Sequence, residues 1–412
     1  MERRVVITGI GAVTPIGNTA EEYYENLKKG VNGIDKITKF DTSSIKATLA
    51  AELKDFDATK VLDKKSARRL DPYSVYAVYA ADEAFKDSGL DINTINEERF
   101  GVMVSSGIGG LTEMEDQITK LALGGPNKTG PLFIPTVISN MAAGHVAIHV
   151  GAKGICTSIV TACASSTNSI GEAYRNIKHG YSDYIMAGGA EAAITLMGTL
   201  GFQKLTALTT SDDKNRASIP FDKERSGFVM GEGAGIVVLE TLESAKARGA
   251  KIYAEIVGYG ATCDAYHMTA PNPDGKMPQR AIELALEEGR VPLNEVTYIN
   301  AHGTSTPMND KAETLAIKNA FGDLAKDINI SSTKSMTGHL LGAAGVIEAI
   351  AAIKCLQDNF VVPTINYKVP DEECDLNYTP NVGVEREMKY AVSTSLGFGG
   401  HNAALVFKKW EN

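Results

Sequence analysis

Three side chains able to do acyl chemistry stand in small-residue, glycine-rich settings along this chain of 412 residues. Cys163 lies in Val160-Thr161-Ala162-Cys163-Ala164-Ser165-Ser166, and His302 in Asn300-Ala301-His302-Gly303-Thr304-Ser305-Thr306-Pro307. His339 closes Ser331-Ser332-Thr333-Lys334-Ser335-Met336-Thr337-Gly338-His339. A β-rich stretch, 156–161, runs into Cys163. Apolar residues at helical spacing, Ile170, Ala173, Tyr174 and Ile177, run out of it towards Gly180. A thiol at that junction faces the positive end of a helix dipole, which lowers its pKa and favours the thiolate. His339 is read as opening a helix over 340–356, where the dipole and a nearby Lys334 both disfavour an imidazolium. Thr304 and Thr306 add hydroxyls beside His302. Lys334, if buried, needs a countercharge, for which Glu313, Asp310 and Glu348 are candidates. Taken singly, a cysteine is more often a small buried apolar residue, and Cys156, Cys263, Cys355 and Cys374 receive that reading. Taken together, a thiolate can accept an acyl group while two neutral N–H donors hold an enolate oxygen. Neither role calls for a metal or an organic cofactor.

The elements that must position these groups follow from the patterning. Apolar residues make up 43% of the chain, enough for a large core, and 40 glycines against 14 prolines imply many tight turns. Strand-like and helix-like segments alternate throughout, which predicts an α/β fold. Five cysteines without a C-x-x-C pair fit neither a disulfide framework nor a zinc site, and a reducing cytoplasm follows. Met1-Glu2-Arg3-Arg4 leads straight into a strand, with no secretory or transit pattern. The most apolar stretches, 184–202 and 340–356, are interrupted by Glu191 and by Glu348 and Lys354, so buried core is expected rather than a membrane span. A net charge of −9 argues against general nucleic-acid binding.

A long-period echo runs through the chain. Residues 4–17 resemble 254–262, and 100–107 resemble 296–303. The strand–Cys163–helix unit resembles 328–333 with His339 and its Ala-rich helix, and 231–239 resembles 397–407. Four echoes in one order predict duplication of a βα unit set, with halves 1–250 and 251–412.

Residues 160–165, 221–228, 301–307, 334–339 with 340–345, and 397–400 together resemble the β-ketoacyl-[acyl-carrier-protein] synthases of the thiolase superfamily, over nearly the whole chain. The resemblance implies a thiolase-like, five-layer αβαβα sandwich of two duplicated halves and a homodimer. It implies acyl transfer from carrier-protein phosphopantetheine to Cys163, then decarboxylative condensation with malonyl-carrier protein. His302 and His339 would bind the malonyl thioester oxygen. The N–H groups of Cys163 and Phe398 would form an oxyanion hole, and Lys334 would act through Glu313. Phe398 would be a gate, Ile108 and Phe202 would line the acyl pocket, and the loop 264–272 with Thr269 would flank the carrier arm.

An acidic carrier protein needs a basic face, and Lys64, Lys65, Arg68 and Arg69 share a side if helical. Thr206 stands where relatives often carry a basic residue, and Lys204 is the substitute nearby. Alternatives of other kinds are a polyketide-type ketosynthase and a non-catalytic chain-length subunit, the latter disfavoured by the thiol.

Overall fold

A computed structural model describes residues 3–411; Met1, Glu2 and Asn412 lie outside the described residues. Ten strands form one mixed sheet: β1 (Val5–Val13), β2 (Phe100–Ser105), β3 (Cys156–Thr157), β4 (Tyr184–Glu191), β5 (Gly233–Thr241), β6 (Ala254–Cys263), β7 (Val296–Asn300), β8 (Asn329–Ser331), β9 (Tyr390–Gly397) and β10 (His401–Lys409). Their order is β8-β7-β9-β10-β6-β1-β5-β4-β2-β3. From the centre outwards, one arm pairs β1–β5 and β5–β4 antiparallel, then β4–β2 and β2–β3 parallel. The other pairs β6–β10 and β10–β9 antiparallel, then β9–β7 and β7–β8 parallel. Order and direction are thus the same in both arms. The arms join where Val5–Ile7 pairs with 254–256. The four sequence echoes fall on β1/β6, β2/β7, β3/β8 and β5/β10; the pair β4/β9 has no echo among them.

Six helices complete the layers. Helices α1 (Pro72–Ser88) and α2 (Met141–Val150) cover the outside of the first arm, and α4 (Lys276–Gly289) and α5 (Pro307–Phe321) cover the second. Helices α3 (Ser165–Lys178) and α6 (Ala344–Asp358) pack against each other between the arms. The result is the expected five-layer α/β sandwich. Sequence explains the middle layer. In α6, Val346, Ile347, Ile350, Ile353 and Leu356 are all buried, each worth roughly 1.5–3 kcal/mol. Its small residues let the helix approach α3: a Cβ at Gly345 would lie 1.9 Å from the Thr167 Oγ1.

Two segments near the site differ from the sequence reading. The strand leading to Cys163 stops at Thr157 instead of reaching residue 161. Its neighbour β2 runs on to Ser105, but the ladder ends at Met103–Thr157; beyond it the Ile159 N–H donates to Ser105 Oγ (3.0 Å) and the Thr161 N–H to Ser165 Oγ (2.9 Å), so side-chain hydroxyls take these amides. The helix after His339 starts at Ala344, not Leu340. A left-handed Leu341 (φ 48°) and a 3₁₀ turn over Leu341–Ala343 intervene, because the turn must place two backbone amides on side chains described below.

Candidate active site

Cys163 sits on an elbow. Ala162, just before it, holds φ at 51°, a region that costs a non-glycine residue about 1 kcal/mol or more. Local bonds maintain it: Ser165 Oγ accepts from the Thr161 N–H and donates to the Ala162 carbonyl (2.7 Å). The Thr161 hydroxyl accepts from Asn168 Nδ2 (2.7 Å), whose Oδ1 accepts from the Tyr259 hydroxyl of β6 (2.7 Å). One 3₁₀ turn, Ala162–Ala164, then feeds α3. Cys163 is buried in an apolar cluster that includes Ala193, Ile194, Phe228 and Leu341.

Cys163, His302 and His339 open into one cavity of about 330 Å³. Phe202, Thr269, Thr304, Thr306 and Phe398 also line it. The two imidazoles meet edge to face with centroids 5.2 Å apart, and Phe228 packs edge-on against His339 at 5.2 Å. The Thr304 and Thr306 hydroxyls bond each other (2.9 Å).

Lys334 Nζ donates to His302 Nδ1 (3.3 Å), and the Leu341 N–H donates to His339 Nδ1 (3.3 Å). Each Nδ1 is therefore an acceptor, which puts the ring proton on Nε2. Burial, then Lys334, then the neighbouring ring push His302 well below the ordinary imidazole range; burial and Lys334 do the same for His339. Both rings are neutral Nε2–H donors at neutral pH. His339 lies five residues before its helix, so burial and Lys334, not the dipole, account for its neutrality.

Lys334 is 1% exposed and bonded on three sides. It pairs with Glu348 and donates to the His302 carbonyl (2.5 Å) as well as to the ring. Its counterion is Glu348, not Glu313 or Asp310. Glu348 lies in the first turns of α6, facing the Lys334–Thr337 helix, whereas Glu313 on α5 accepts from the His302 and Gly303 amides (2.7 Å each) and from Thr394 Oγ1 (2.8 Å). Asp310 binds the Phe221 N–H (2.8 Å) and approaches Arg225. Burial raises Glu348 to about 7 against the pull of Lys334.

The thiol departs from the sequence expectation. Burial pushes Cys163 up to about 12, and the pull of Lys334 and the Phe398 N–H directed at the sulfur offset only part of this. The resting group is a thiol, and negative charge there is stabilised only as it forms. The chain at Gly397 comes so close that a Cβ would lie 2.7 Å from the Thr161 carbonyl and 3.2 Å from the Cys163 nitrogen. That brings the Cys163 and Phe398 amides to one place, an arrangement able to hold an oxyanion.

Phe398 is half-buried with its ring 6.3 Å from Phe202. The loop 397–400 is tied to 264–272: the Gly399 N–H donates to the Met268 carbonyl (2.8 Å), the Asp264 N–H to the Gly400 carbonyl (2.9 Å), and Asn402 Nδ2 to Asp264 Oδ1 (2.7 Å). Ile108 is not among the cavity-lining residues; it is 37% exposed, with its N–H 3.4 Å from Glu191. Lys64, Lys65, Arg68 and Arg69 are all exposed, but the helix is a single turn, Lys64–Ala67, so they spread over a turn and its exit rather than along one face. Thr206 reaches the cavity rim with φ 55°. Asn168, Tyr259, Ser165 and Glu191 support the site in roles the sequence does not announce; the nearest signal is a charged Glu191 inside an apolar run. Among the described residues no group of three or more His, Cys, Asp or Glu is arranged to hold a metal ion.

Comparisons with known proteins identify relatives of the whole chain. Residues 2–245 match the β-ketoacyl synthase N-terminal domain family, and 253–368 the β-ketoacyl synthase C-terminal domain family. The chain is 54% identical over 409 residues to 3-oxoacyl-[acyl-carrier-protein] synthase 2 of Staphylococcus aureus (strain COL), covering 99% of each. It is 52% identical over 411 residues to the Synechocystis protein of that name, covering 100% of this chain and 99% of the other. Among solved structures, a β-ketoacyl synthase from Burkholderia phymatum STM815 superposes with a TM-score of 0.92 at 36% identity. A type II polyketide ketosynthase in complex with its acyl-carrier protein, bound to a hexaketide, superposes at 0.93 and 35%. Both comparisons cover all of each chain. The two family models span most of the chain, and relatives more than half identical run along its full length: this duplicated, thiolase-like sandwich belongs to the β-ketoacyl synthase family.

Proposed function

We propose that the chain is a 3-oxoacyl-[acyl-carrier-protein] synthase of fatty-acid elongation. The observation that carries the reading is the single cavity joining Cys163 to two Nε2–H imidazoles. In the first half-reaction Cys163 sulfur attacks the acyl thioester of a carrier protein. The tetrahedral oxygen lies against the Cys163 and Phe398 amides; the pantetheine thiolate leaves and takes up the proton that Cys163 gave. In the second, the malonyl carboxylate departs as CO2 and its C–C electron pair becomes an enolate. The enolate oxygen accepts from His302 and His339, its carbon attacks the acyl-cysteine, and Cys163 thiolate is expelled and reprotonated. Lys334 keeps the rings uncharged, so that they donate rather than quench the carbanion. Thr304, Thr306 and Thr269 flank the carrier arm, and no further cofactor is invoked.

The identity of 52–54% to proteins named 3-oxoacyl-[acyl-carrier-protein] synthase 2, against 35% to the polyketide ketosynthase, supports the fatty-acid reading over the polyketide one. The chain divides into halves 1–250 and 251–412, a division supported by the matched strand order of the two arms. A cytoplasmic homodimer completes the reading: Ile118, Leu121, Leu123, Leu132, Ile134 and Ile148 are exposed apolar side chains of the kind that self-association buries. No helix among the described residues is long and apolar enough to cross a membrane. The acidic carrier protein docks by Lys64, Lys65, Arg68 and Arg69.

Intact mass after separate incubation with acyl-carrier protein and acyl-CoA tests the assignment. An acyl adduct at Cys163, formed faster from the carrier, is expected. No adduct from either donor would reject catalysis in favour of a chain-length subunit.

A further inference from the structure

The elbow that carries Cys163 is held from the other arm of the sheet. Tyr259 on β6 is 2% exposed, and its hydroxyl donates to Asn168 Oδ1 (2.7 Å). Asn168, in the first turn of α3, passes the tie on: its Nδ2 donates to the Thr161 hydroxyl (2.7 Å). The Thr161 carbonyl in turn accepts the Ala164 N–H (3.1 Å), which closes the turn around Cys163.

Tyr259 is itself fixed. A Cβ at Gly171 of α3 would lie 2.3 Å from the Tyr259 Cδ2, so the ring rests directly on the helix backbone. The Arg175 guanidinium lies over the ring, 4.6 Å from its centroid, and Nη2 donates to the Tyr259 carbonyl (2.9 Å). On the side of the site the tolerance is as small. A Cβ at Gly397 would lie 2.7 Å from the Thr161 carbonyl and 3.2 Å from the Cys163 nitrogen. A displacement of Thr161 therefore moves the Cys163 amide relative to the Phe398 amide beside Gly397. The left-handed Ala162 between Thr161 and Cys163 gives the turn a reason to relax once its ties are cut. Asn168 and Tyr259 are not among the cavity-lining residues, and the two imidazoles are held by other partners, Lys334 and the Leu341 amide.

We infer that Asn168, anchored by Tyr259, is a positioning residue for acyl transfer: through Thr161 it sets the Cys163 amide in the oxyanion hole, and it takes no part in decarboxylation. The inference rests on the condensing-enzyme reading. The chain of bonds gives each member a distinct effect. Asn168→Ala removes both ties, Thr161→Val removes the receiving hydroxyl at nearly constant shape, and Tyr259→Phe removes only the anchor and keeps the ring on Gly171.

The test compares three rates in wild type, N168A, T161V and Y259F. The first is acylation of Cys163 from acyl-carrier protein, read by intact mass. The second is alkylation of Cys163 by iodoacetamide, read on its peptide, a displacement at carbon that develops no oxyanion. The third is CO2 release from malonyl-carrier protein. Removing an oxyanion donor outright costs about 10²–10³ in rate, and a displaced donor should cost part of that, about tenfold, in the acylation of N168A and T161V. Loss of the anchoring hydrogen bond alone should cost Y259F about threefold. Alkylation and CO2 release should keep their wild-type rates. A fall in either by the same factor as acylation would mean a general loosening of the site or a displaced sulfur, and would overturn the inference. So would an acylation rate unchanged in N168A and T161V. Should N168A fail to fold, T161V decides by the same readings. Absence of any acyl adduct in the wild type, with Cys163 still open to iodoacetamide, would instead refute the condensing-enzyme reading beneath it.

Discussion

Replacing Lys334 by methionine removes a charge while keeping most of the side-chain volume. Lys334 Nζ lies 3.3 Å from His302 Nδ1. At an effective dielectric constant of about 20, two unit charges at that separation repel by about 5 kcal/mol, which adds to burial in opposing protonation of the ring. Burial and this repulsion together hold both rings well below the ordinary value. The wild type should therefore decarboxylate malonyl-carrier protein without an acid limb until well under pH ~6.5, the unperturbed imidazole value. In Lys334→Met burial remains, with the neighbouring ring still acting on His302, so an acid limb should move up towards the measurable range. The rate should also fall by about 10²–10³, since His302 loses the donor that fixes its tautomer. The methionine leaves Glu348 buried without its cation, a loss of about 3–5 kcal/mol. Adding Glu348→Gln should recover melting temperature without recovering rate. The assay is CO2 release against pH, with thermal unfolding in parallel. A flat profile and a wild-type rate in Lys334→Met would refute the electrostatic role. The sign of the linked stability effect is also fixed. Both histidines are lowered in the folded state, so the unfolded chain binds protons first and stability falls as pH drops below about 6.5; that fall should be shallower in the variant.

Other perturbations separate the remaining roles. His339→Ala should lose about 10²–10³ in malonyl decarboxylation yet still accept an acyl group on Cys163, read by CO2 release and intact mass. Phe398→Ala should slow turnover and blur the order of substrate binding, since its ring packs on Phe202 at 6.3 Å; steady-state patterns with both substrates check this. Reversing the charge of Lys65 and Arg68 should raise KM for carrier-protein substrates, with a shallower salt dependence, while leaving small thioester donors unaffected. Gly345→Ala drives a methyl group to 1.9 Å from Thr167 Oγ1 and should lower stability by about 1–3 kcal/mol or more, measured by denaturant unfolding.

Much of this site is legible in the chain because its motifs are local. Cys163 on a turn before a helix, His302 after a strand and Lys334 five residues before His339 each announce themselves within about ten residues. Pairings across the molecule do not. Lys334 finds Glu348 rather than Glu313 because the approach of α6 to the Lys334–Thr337 helix is set by the packing of the middle layer, which no spacing encodes. The thiol illustrates a second limit. A helix N-terminus is visible in sequence, but the burial of the sulfur among residues as distant as Ala193 and Leu341 is not, and burial wins. Local bonding also redraws element ends: strand β3 stops at Thr157 as the Ile159 and Thr161 amides turn to the Ser105 and Ser165 hydroxyls, and α6 starts late because Leu341 and Gly342 turn their amides to His339 and Glu191.

The turn at Ala162-Cys163 has a counterpart at Leu341-Gly342: each begins with a residue in left-handed conformation, and each passes through a 3₁₀ turn into a central helix. Only the first bears a reactive group. The second has no room for one, since even a methyl carbon on Gly342 would collide with the Gly107 nitrogen at 2.2 Å. Division of labour between the twin turns is therefore steric as well as chemical. An engineered second thiol at residue 342 would cost the molecule its shape before it could offer a second point of attack.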